Sequence, residues 1–329
     1  MLEIEHLLFG EAKCRRAIFH VFFLFEGKAC VISEPYAVCM RSLHAWLAAF
    51  ACFSAGPALR AQAPNVTLTP AIVVAGSPEL VRVVAPDAQS VAGEWMDRKL
   101  SFFRGRQAGT WFALAGADVE APPGTSTLRI TAQIGKGELD LSRSVEIHEA
   151  RYRTETLSVA PEFVQPGPEA LQQIEAEKAL KGKIFAASAP EPLWSGDFRR
   201  PVEARATDSF GVRRTFNGTL ESVHKGTDFR TATGTPVRAG NSGVVVLATR
   251  LYYEGNCVVI DHGLGLFTIS MHLSRIDVRE GQHVNGDDLV GLSGATGRVT
   301  GPHLHWAVRW QDAYLDPVKL LRMHLSAVR

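Results

Sequence analysis

Short apolar runs separated by turn residues fill the chain from about residue 64 to residue 147. Examples are Leu80–Val84, Trp111–Leu114 and Thr127–Ala132, with Gly, Pro, Asp and Ser clusters between such runs. Regularly spaced short strands are typical of a small all-β sandwich. We therefore expect a β-sandwich-like domain over residues 64–150. It shows no catalytic constellation, since His148-Glu149 begins an H-E-x-x-H pattern whose second histidine is missing.

The next segment has the pattern of an exposed helix. Residues 166 to about 183 open with two prolines and carry Glu and Lys on most faces. An approximate apolar stripe is formed by Leu171, Ile174 and Leu180. Residues 187–201 are rich in Ala, Pro and Ser, which is typical of a linker or covering loop. The pattern predicts a bridging helix and linker over residues 151–197.

From about residue 198 to residue 329, strand-like runs alternate with glycine-containing turns. The runs cover residues 243–249, 257–261, 266–273, 288–292 and 304–310, and no long helix is indicated. This pattern predicts an antiparallel β-sheet, so the fold class is mainly β. Seven of the eleven histidines lie in this last part. We therefore expect the chemistry of the protein to reside in the C-terminal domain.

Residues 40–63 have the layout of a secretory signal peptide. A charged start at Met40-Arg41 precedes an apolar run, and small residues end in Ala61-Gln62-Ala63. The run is short for a membrane span, so we expect no stable membrane insertion after cleavage; a short buried helix is the alternative. If Met40 is the true start, residues 1–39 are a gene-model extension. The alternative is that a second apolar segment, Ala17 to Phe25, acts as an anchor.

Cysteine usage agrees with export. Cys14, Cys30, Cys39 and Cys52 precede the expected cut, so only Cys257 remains in the mature chain. A single cysteine cannot form an internal disulfide and avoids mispairing in an oxidising compartment. Cys257 lies in an apolar run, which favours a small buried hydrophobe over a nucleophile. Cys52 as a lipid-attachment site is the weaker alternative.

The candidate chemistry is carried by five polar residues of the C-terminal domain. His303 and His305 are two apart, a spacing that places both on one face of a strand. His224 and Asp228 are four apart, with Gly226 between them disfavouring a helix, and His272 lies between the two pairs. Imidazole and carboxylate are standard zinc ligands, and three of them leave the fourth tetrahedral position open. The formal net charge of +1 argues against a nucleic-acid partner.

The C-terminal part resembles the lysostaphin/LytM-type zinc metallopeptidases, a family that cuts peptide cross-links in bacterial cell walls. The resemblance covers about Phe198 to Leu321. It rests on these strings: Phe210-Gly211-Val212-Arg213-Arg214, Phe216-Asn217-Gly218, His224-Lys225-Gly226-Thr227-Asp228-Phe229, Asp261-His262-Gly263-Leu264-Gly265, Met271-His272-Leu273, Gly291-Leu292-Ser293-Gly294-Ala295-Thr296-Gly297, Gly301-Pro302-His303-Leu304-His305-Trp306 and Asp316-Pro317-Val318. One departure is Ser270, where the family often has an aromatic residue.

The resemblance implies a role for each of the five residues. His224, Asp228 and His305 match the three ligands of one zinc ion, and His272 and His303 match two catalytic histidines that do not bind the metal. Zinc would activate a water molecule for attack on a peptide bond, and histidines can move the protons. We expect His262 to have a structural role, and His283 and His324 to lie on the surface.

The resemblance implies an exported zinc endopeptidase, periplasmic or associated with the cell envelope, that hydrolyses peptide bonds in peptidoglycan stem peptides or cross-links. The alternative is a non-catalytic wall-binding regulator of another peptidoglycan hydrolase, with that enzyme as its partner. The complete set of five residues favours the enzyme. A serine hydrolase is disfavoured because the chain has no G-x-S-x-G string. The N-terminal β domain is expected to position or shield the catalytic domain.

Overall fold

A computed structural model of the protein describes residues 63–207 and 209–328 and, further upstream, only the paired strands β1 (Leu24–Phe25) and β2 (Lys28–Ala29). Apart from these strands and Ala63, the predicted extension, anchor and signal peptide at residues 1–63 lie outside the described residues. Among the residues described, no helix is both long enough and apolar enough to cross a membrane.

Two sheets, whose strands are mostly antiparallel, form the N-terminal domain. One has the strand order β4-β11-β10-β6-β7 and the other β3-β5-β9-β8. The strands are β3 (Asn65–Thr69), β4 (Val73–Val74), β5 (Pro78–Val84), β6 (Ala88–Trp95), β7 (Arg98–Ser101), β8 (Phe103–Arg104), β9 (Thr110–Gly116), β10 (Gly124–Ile134) and β11 (Gly137–His148).

Apolar side chains from both sheets meet in a shared core. Val81 and Val83 come from one sheet, and Trp95, Leu128 and Ile130 from the other, and all five are almost fully buried. Alternate residues of β10 turn inward, as the two-residue period of a strand requires. The β-sandwich-like domain predicted from the spacing of short apolar runs is therefore confirmed.

The segment between the domains is more structured than the predicted linker. Strand β12 (Thr154–Leu157) pairs in parallel with β13 (Arg213–Phe216), which pairs with β14 (Leu220–Val223). A 3-10 turn at Pro161–Phe163 follows, and then helix α1 (Pro168–Ala186) with a proline in its first turn. The sequence did not predict β12, because its four residues lack the alternation of apolar and polar positions that indicates a strand.

Helix α1 packs on the C-terminal domain through a face that includes Ile174 of the predicted stripe but leaves its other two residues largely outside. Leu171 and Leu180 are about half exposed, at 51% and 42%. Contact is made by Glu177, which accepts from the backbone N–H of Tyr252, and by an ion pair between Lys181 and Glu254. Near the end of the helix, the ring of Phe185 stacks edge-on against Phe267. This face therefore combines polar pairs, which a hydrophobic pattern does not reveal, with packing of Ile184 and Phe185 against buried residues of the sheet.

The C-terminal domain is built on an antiparallel sheet with the order β15-β23-β19-β18-β17-β21, in which β24 also pairs with β23. A second sheet has the order β16-β22-β20. The elements are β15 (Thr227–Phe229), β16 (Pro236–Arg238), β17 (Gly243–Leu251), β18 (Gly255–Asp261), β19 (Leu266–Leu273), β20 (Arg275–Ile276), β21 (His283–Val284), β22 (Leu289–Leu292), β23 (Leu304–Trp310), β24 (Ala313–Leu315), α2 (Pro317–Leu320) and a 3-10 turn at Leu325–Ala327.

Both faces of the large sheet are covered. Val258 and Trp306 belong to the main core, while Val259 and Phe267 belong to a second cluster that receives Phe185 from α1. Cys257 is a free thiol buried in that second cluster, as its apolar surroundings in the sequence indicate. The expected antiparallel sheet is confirmed.

The sandwich is joined to the C-terminal domain by directional hydrogen bonds. The Tyr152 hydroxyl donates to the carbonyl oxygen of Ala75 at 2.7 Å, and the N–H of Asp316 donates to the carbonyl oxygen of Gly76 at 2.7 Å. Gly76 has a φ of +85°, and a Cβ there would lie 2.6 Å from the Tyr152 hydroxyl and within 3.1 Å of Phe210. The sandwich thereby braces the loop that begins at Ser209.

The buried side chain of Glu79 should make the stability of the fold depend on pH. It is fully buried, its Oε2 has no hydrogen-bond partner, and burial raises its pKa to about 8 against a smaller opposing effect of the Ser77 hydrogen bond. Between about pH 4.5 and pH 8 the unfolded chain therefore releases a proton that the folded chain keeps, so this group lowers stability as pH rises.

We expect Glu79→Gln to reduce the fall in thermal midpoint between pH 5 and pH 8, measured by calorimetry, because a neutral amide has no proton to release. The matched control is Glu94→Gln, an exposed change on β6 that should leave the wild-type pH dependence intact. Equal pH profiles for Glu79→Gln and the wild type would contradict this assignment.

Candidate metal centre

Three side-chain atoms converge at the end of the large sheet. His224 Nε2 lies 2.8 Å from His305 Nδ1, and each of these nitrogens lies 3.2 Å from Asp228 Oδ1. These separations are close to the edges of about 3.3 Å expected for a tetrahedron with bonds of 2.0–2.1 Å to a central zinc. Within the described part of the chain, this trio is the one set of ligand-type side chains close enough together to hold a metal ion.

Strand register explains how two of the three meet. Asp228 on β15 is directly opposite His305 on β23, and Met271 on β19 is opposite His305 on its other side. Side chains that oppose each other in an antiparallel pair have Cβ atoms about 5 Å apart. His224 reaches the same point from the start of the short loop between β14 and β15. The sheet register therefore places two of the three residues side by side.

Residue 226 must be glycine because its backbone passes close to the ring of His305. A Cβ at this position would clash with Nε2 of His305 and lie 2.8 Å from the carbonyl oxygen of Trp306. The backbone between His224 and Asp228 can therefore pass over His305 only where there is no side chain.

Three of the histidines share one device for fixing the ring. Nδ1 of His224 lies 2.7 Å from the carbonyl oxygen of Ser209. Nδ1 of His272 lies 2.9 Å from that of Thr296, and Nδ1 of His303 lies 2.8 Å from that of Gly301. A carbonyl oxygen can only accept, so each Nδ1 carries the proton and each Nε2 keeps its lone pair. Carbonyl contacts of this kind orient metal-binding and catalytic imidazoles.

His272 adopts an uncommon backbone conformation at the end of β19, with φ +62°. Its N–H donates to the carbonyl oxygen of Glu254 at 2.8 Å. The ring centre of His272 lies 5.0 Å from that of His303 and 5.9 Å from that of His305. The left-handed turn brings the ring against the trio, a type of conformation often found at functional sites.

Asp228 is held from both sides. Its N–H donates to Ser209 Oγ at 3.0 Å, and its Oδ2 accepts from Arg214 at 2.9 Å. Burial opposes ionisation of this carboxyl group, but its close contacts with the imidazoles of His224 and His305 outweigh burial and hold its pKa far below the usual value. Asp228 is therefore an anion at neutral pH, as a carboxylate ligand must be.

Burial acts on the neighbouring imidazoles in the opposite sense. It is the main cause that lowers the pKa of His305 to about 4, although the hydrogen bond with Asp228 raises it in part. It also holds the pKa of His272 well below its ordinary value, assisted by His305 and His303. Both rings are therefore neutral at pH 7 and offer lone pairs to an electrophile.

The donor set fits a divalent cation. Two neutral imidazole nitrogens and one carboxylate oxygen point at a common centre, and lone pairs so placed repel one another unless a positive charge lies among them. Nitrogen and oxygen donors in a set of three suit zinc and leave a coordination position open.

A groove of about 530 Å³ gives access to the trio. His272 and His303 lie on its wall with Arg214, Tyr253 and Arg298. A second wall comes from β12 and the residues after it, including Glu155 and Val159.

The structure brings together all five residues singled out in the sequence: His224, Asp228, His272, His303 and His305. His262 stands apart, fully buried between the carbonyl oxygen of Ser242 and the hydroxyl of Thr268, in line with the structural role expected for it. His283 and His324 are exposed, as expected.

Sequence reasoning gave no role to the residues that surround the trio. Arg214 lies within a quoted string, yet nothing in the string shows that its guanidinium joins Asp228 to Glu155 Oε1, the latter at 2.8 Å. Glu155 lies 73 residues before Asp228 in a segment predicted to be a linker, and no sequence signal marks it. Thr296 also lies within a quoted string, which does not show that its carbonyl oxygen contacts Nδ1 of His272.

Comparison with known proteins connects this geometry to a family. The sequence profile of peptidase family M23 matches residues 222–317. Peptidoglycan DD-endopeptidase ShyB of Vibrio cholerae serotype O1 is 31% identical over 248 residues, which are 71% of this chain and 56% of that protein. Peptidoglycan DD-endopeptidase ShyA of the same organism is 47% identical over 111 residues, 33% of this chain and 26% of that protein.

Two further proteins extend the comparison. DD-carboxypeptidase/endopeptidase Mpg of Neisseria meningitidis serogroup B is 38% identical over 119 residues, 36% of this chain and 27% of that protein. A Pseudomonas aeruginosa crystal structure described as a candidate M23 peptidase superposes with a TM-score of 0.58 at 26% identity, covering 75% of this chain and 94% of that one. The chain thus spans between about a quarter and just over half of the three curated relatives.

Gly226 provides a test of the site's assembly. We expect Gly226→Ala to weaken zinc binding by at least about tenfold, because the new Cβ must displace either His305 or the backbone at Trp306. Competition with a chromogenic chelator would measure the affinity. Gly301→Ala is the matched control, since a Cβ there meets nothing within 4 Å. Unchanged affinity in Gly226→Ala, with the thermal midpoint also unchanged, would show that the trio does not depend on this close approach.

Proposed function

Because residues 222–317 of this chain are a domain of peptidase family M23, we propose that the protein is an exported zinc-dependent endopeptidase that hydrolyses peptide bonds in peptidoglycan stem peptides or cross-links. The observation that carries the proposal is the convergence of His224, Asp228 and His305 on one point at the floor of a groove. The names of the relatives, which are peptidoglycan endopeptidases, support the substrate class. The signal-peptide pattern at residues 40–63 supports export.

His224, Asp228 and His305 would hold the zinc ion. When bound in such a site, zinc polarises a peptide carbonyl group and lowers the pKa of a water molecule. The chain's own contribution is to keep the three donors unprotonated and oriented. Ser209 does so for two of them, through its carbonyl oxygen on His224 and its hydroxyl on the N–H of Asp228.

His272 and His303 would serve the proton transfers. Each has its Nδ1–H held by a backbone carbonyl oxygen, so each presents Nε2 as a proton acceptor. His303 Nε2 lies 3.6 Å from Asp228 Oδ1, beside the trio without belonging to it. An imidazole at that position can accept a proton from the attacking water and return it to the leaving amine.

A non-catalytic wall-binding regulator is the second candidate. Such a protein would bind peptide or a partner hydrolase in the groove without turnover. The complete set of metal-binding and proton-transfer side chains favours the enzyme, since a binding role alone requires neither His272 nor His303.

Product analysis tests the activity. The zinc-loaded protein is incubated with purified sacculi and with defined cross-linked muropeptides, and products are identified by mass spectrometry. The proposal expects cleavage of a peptide bond that a chelator abolishes and added zinc restores. Stoichiometric binding of muropeptides with no product, at full zinc occupancy, would favour the regulator instead.

Two single variants test the division of roles. We expect His305→Ala to lose stoichiometric zinc, because one of three donors is removed. His303→Ala should keep its zinc and lose about 10²- to 10⁴-fold in turnover, the usual contribution of a general acid or base. Zinc content by atomic emission and turnover on one muropeptide are measured on the same samples. Equal zinc loss in the two variants would overturn the assignment.

A further inference from the structure

Arg298 is a guanidinium on the groove wall whose planar faces are occupied and whose donors are not. Its central carbon lies 4.5 Å from the ring centre of Phe216 and 4.5 Å from that of Tyr253. Contacts of this kind hold an arginine side chain by cation–π attraction. They leave the N–H groups at the edge of the guanidinium plane, where a carboxylate would bind.

The backbone places Arg298 beside the catalytic histidines. Its N–H donates to the carbonyl oxygen of Tyr253 at 2.9 Å. Gly297, with φ +75°, lies so close to the backbone of Gly255 that a Cβ would not fit. The carbonyl oxygen of Thr296, two residues before Arg298, accepts the Nδ1–H of His272. One tight loop therefore fixes both the ring of His272 and the position of the Arg298 side chain.

The carboxylates that line the groove are already paired with other cations. Glu155 and Asp228 both accept from Arg214, and Glu254 is paired with Lys181. No carboxylate or carbonyl oxygen among the described residues accepts a hydrogen bond from the Arg298 side chain. Arg214 is thus committed to structure, whereas Arg298, on the same wall, keeps its donors for a ligand.

Burial also acts on the Arg298 side chain. It lowers the pKa of the Arg298 guanidinium, with Tyr253 and Glu254 opposing this effect and Arg214 adding to it. A half-buried guanidinium without a hydrogen-bonded carboxylate is costly, and an incoming carboxylate would offset that cost.

We propose that Arg298 is a specificity-determining residue that binds a free carboxylate of the substrate peptide through its guanidinium N–H groups. The inference rests on the proposed function for the identity of the substrate, because peptidoglycan stem peptides are anionic chains with free carboxylates. It adds that the enzyme selects peptides by this charge. Peptides whose carboxylates are amidated are therefore expected to be poorer substrates.

The test uses the zinc-loaded full chain and two cross-linked muropeptides that differ only in having free or amidated carboxylates. The wild type should cut the free form with a kcat/KM about 10- to 100-fold higher, the range expected for a charge-assisted hydrogen-bonded pair. Arg298→Gln should lose this preference by slowing cleavage of the free form alone. Arg298→Lys should keep part of the preference, since it retains the charge but not the fork.

Arg309→Gln is the matched control. Arg309 is also stacked on aromatic rings, 4.3 Å from the centre of Phe185 and 5.1 Å from that of Tyr314, but it does not line this groove. It should keep the wild-type preference, which separates a local contact from a change in overall charge. Thermal midpoints of both glutamine variants identify any loss of folding.

A binding arm keeps the outcomes distinct. Uncrosslinked stem peptides with free or amidated carboxylates are titrated into the wild type and Arg298→Gln by calorimetry. If neither muropeptide is cut, the proposed function fails, but tighter binding of the free peptide to the wild type alone still upholds the role of Arg298. Equal handling of free and amidated peptides by the wild type, or an unchanged preference in Arg298→Gln, overturns the proposal.

Discussion

The convergence of three metal-ligand side chains on one point is the constraint on which this site depends. Two imidazole nitrogens and a carboxylate oxygen lie within 3.2 Å of one another at the floor of the groove. A positive charge at the centre stabilises such an arrangement, so metal binding and local stability are coupled. The strand register that opposes Asp228 to His305, and the bare backbone at Gly226, are the means by which the fold enforces the arrangement.

Support for the trio comes from well outside the residues that match the family profile. The sandwich braces the loop that begins at Ser209, and Ser209 in turn orients His224 and Asp228. Strand β12 contributes Glu155, which holds the arginine that holds Asp228. The N-terminal half of the chain is thus a structural partner of the site, through hydrogen bonds that a catalytic domain alone would lack.

The sequence was most informative where a local pattern controls the structure. Alternation and glycine spacing predicted both β domains, and short chemical strings predicted which five polar residues would meet. It was least informative where the structure depends on polar contacts between distant segments. Neither the face of helix α1 that carries Lys181 nor the approach of Glu155 to Arg214 follows from periodicity. Leu171 is about half exposed, so an apolar stripe on a helix is not always buried.

The most direct measurement is anomalous diffraction at the zinc edge from crystals of the zinc-loaded protein. The geometry of the trio predicts one anomalous peak bonded to His224 Nε2, His305 Nδ1 and a carboxylate oxygen of Asp228 at about 2.0–2.2 Å. His272 and His303 should lie nearby without a bond to the metal. A peak ligated by His272 or His303 in place of one of the trio, or no peak at full zinc saturation, would contradict it.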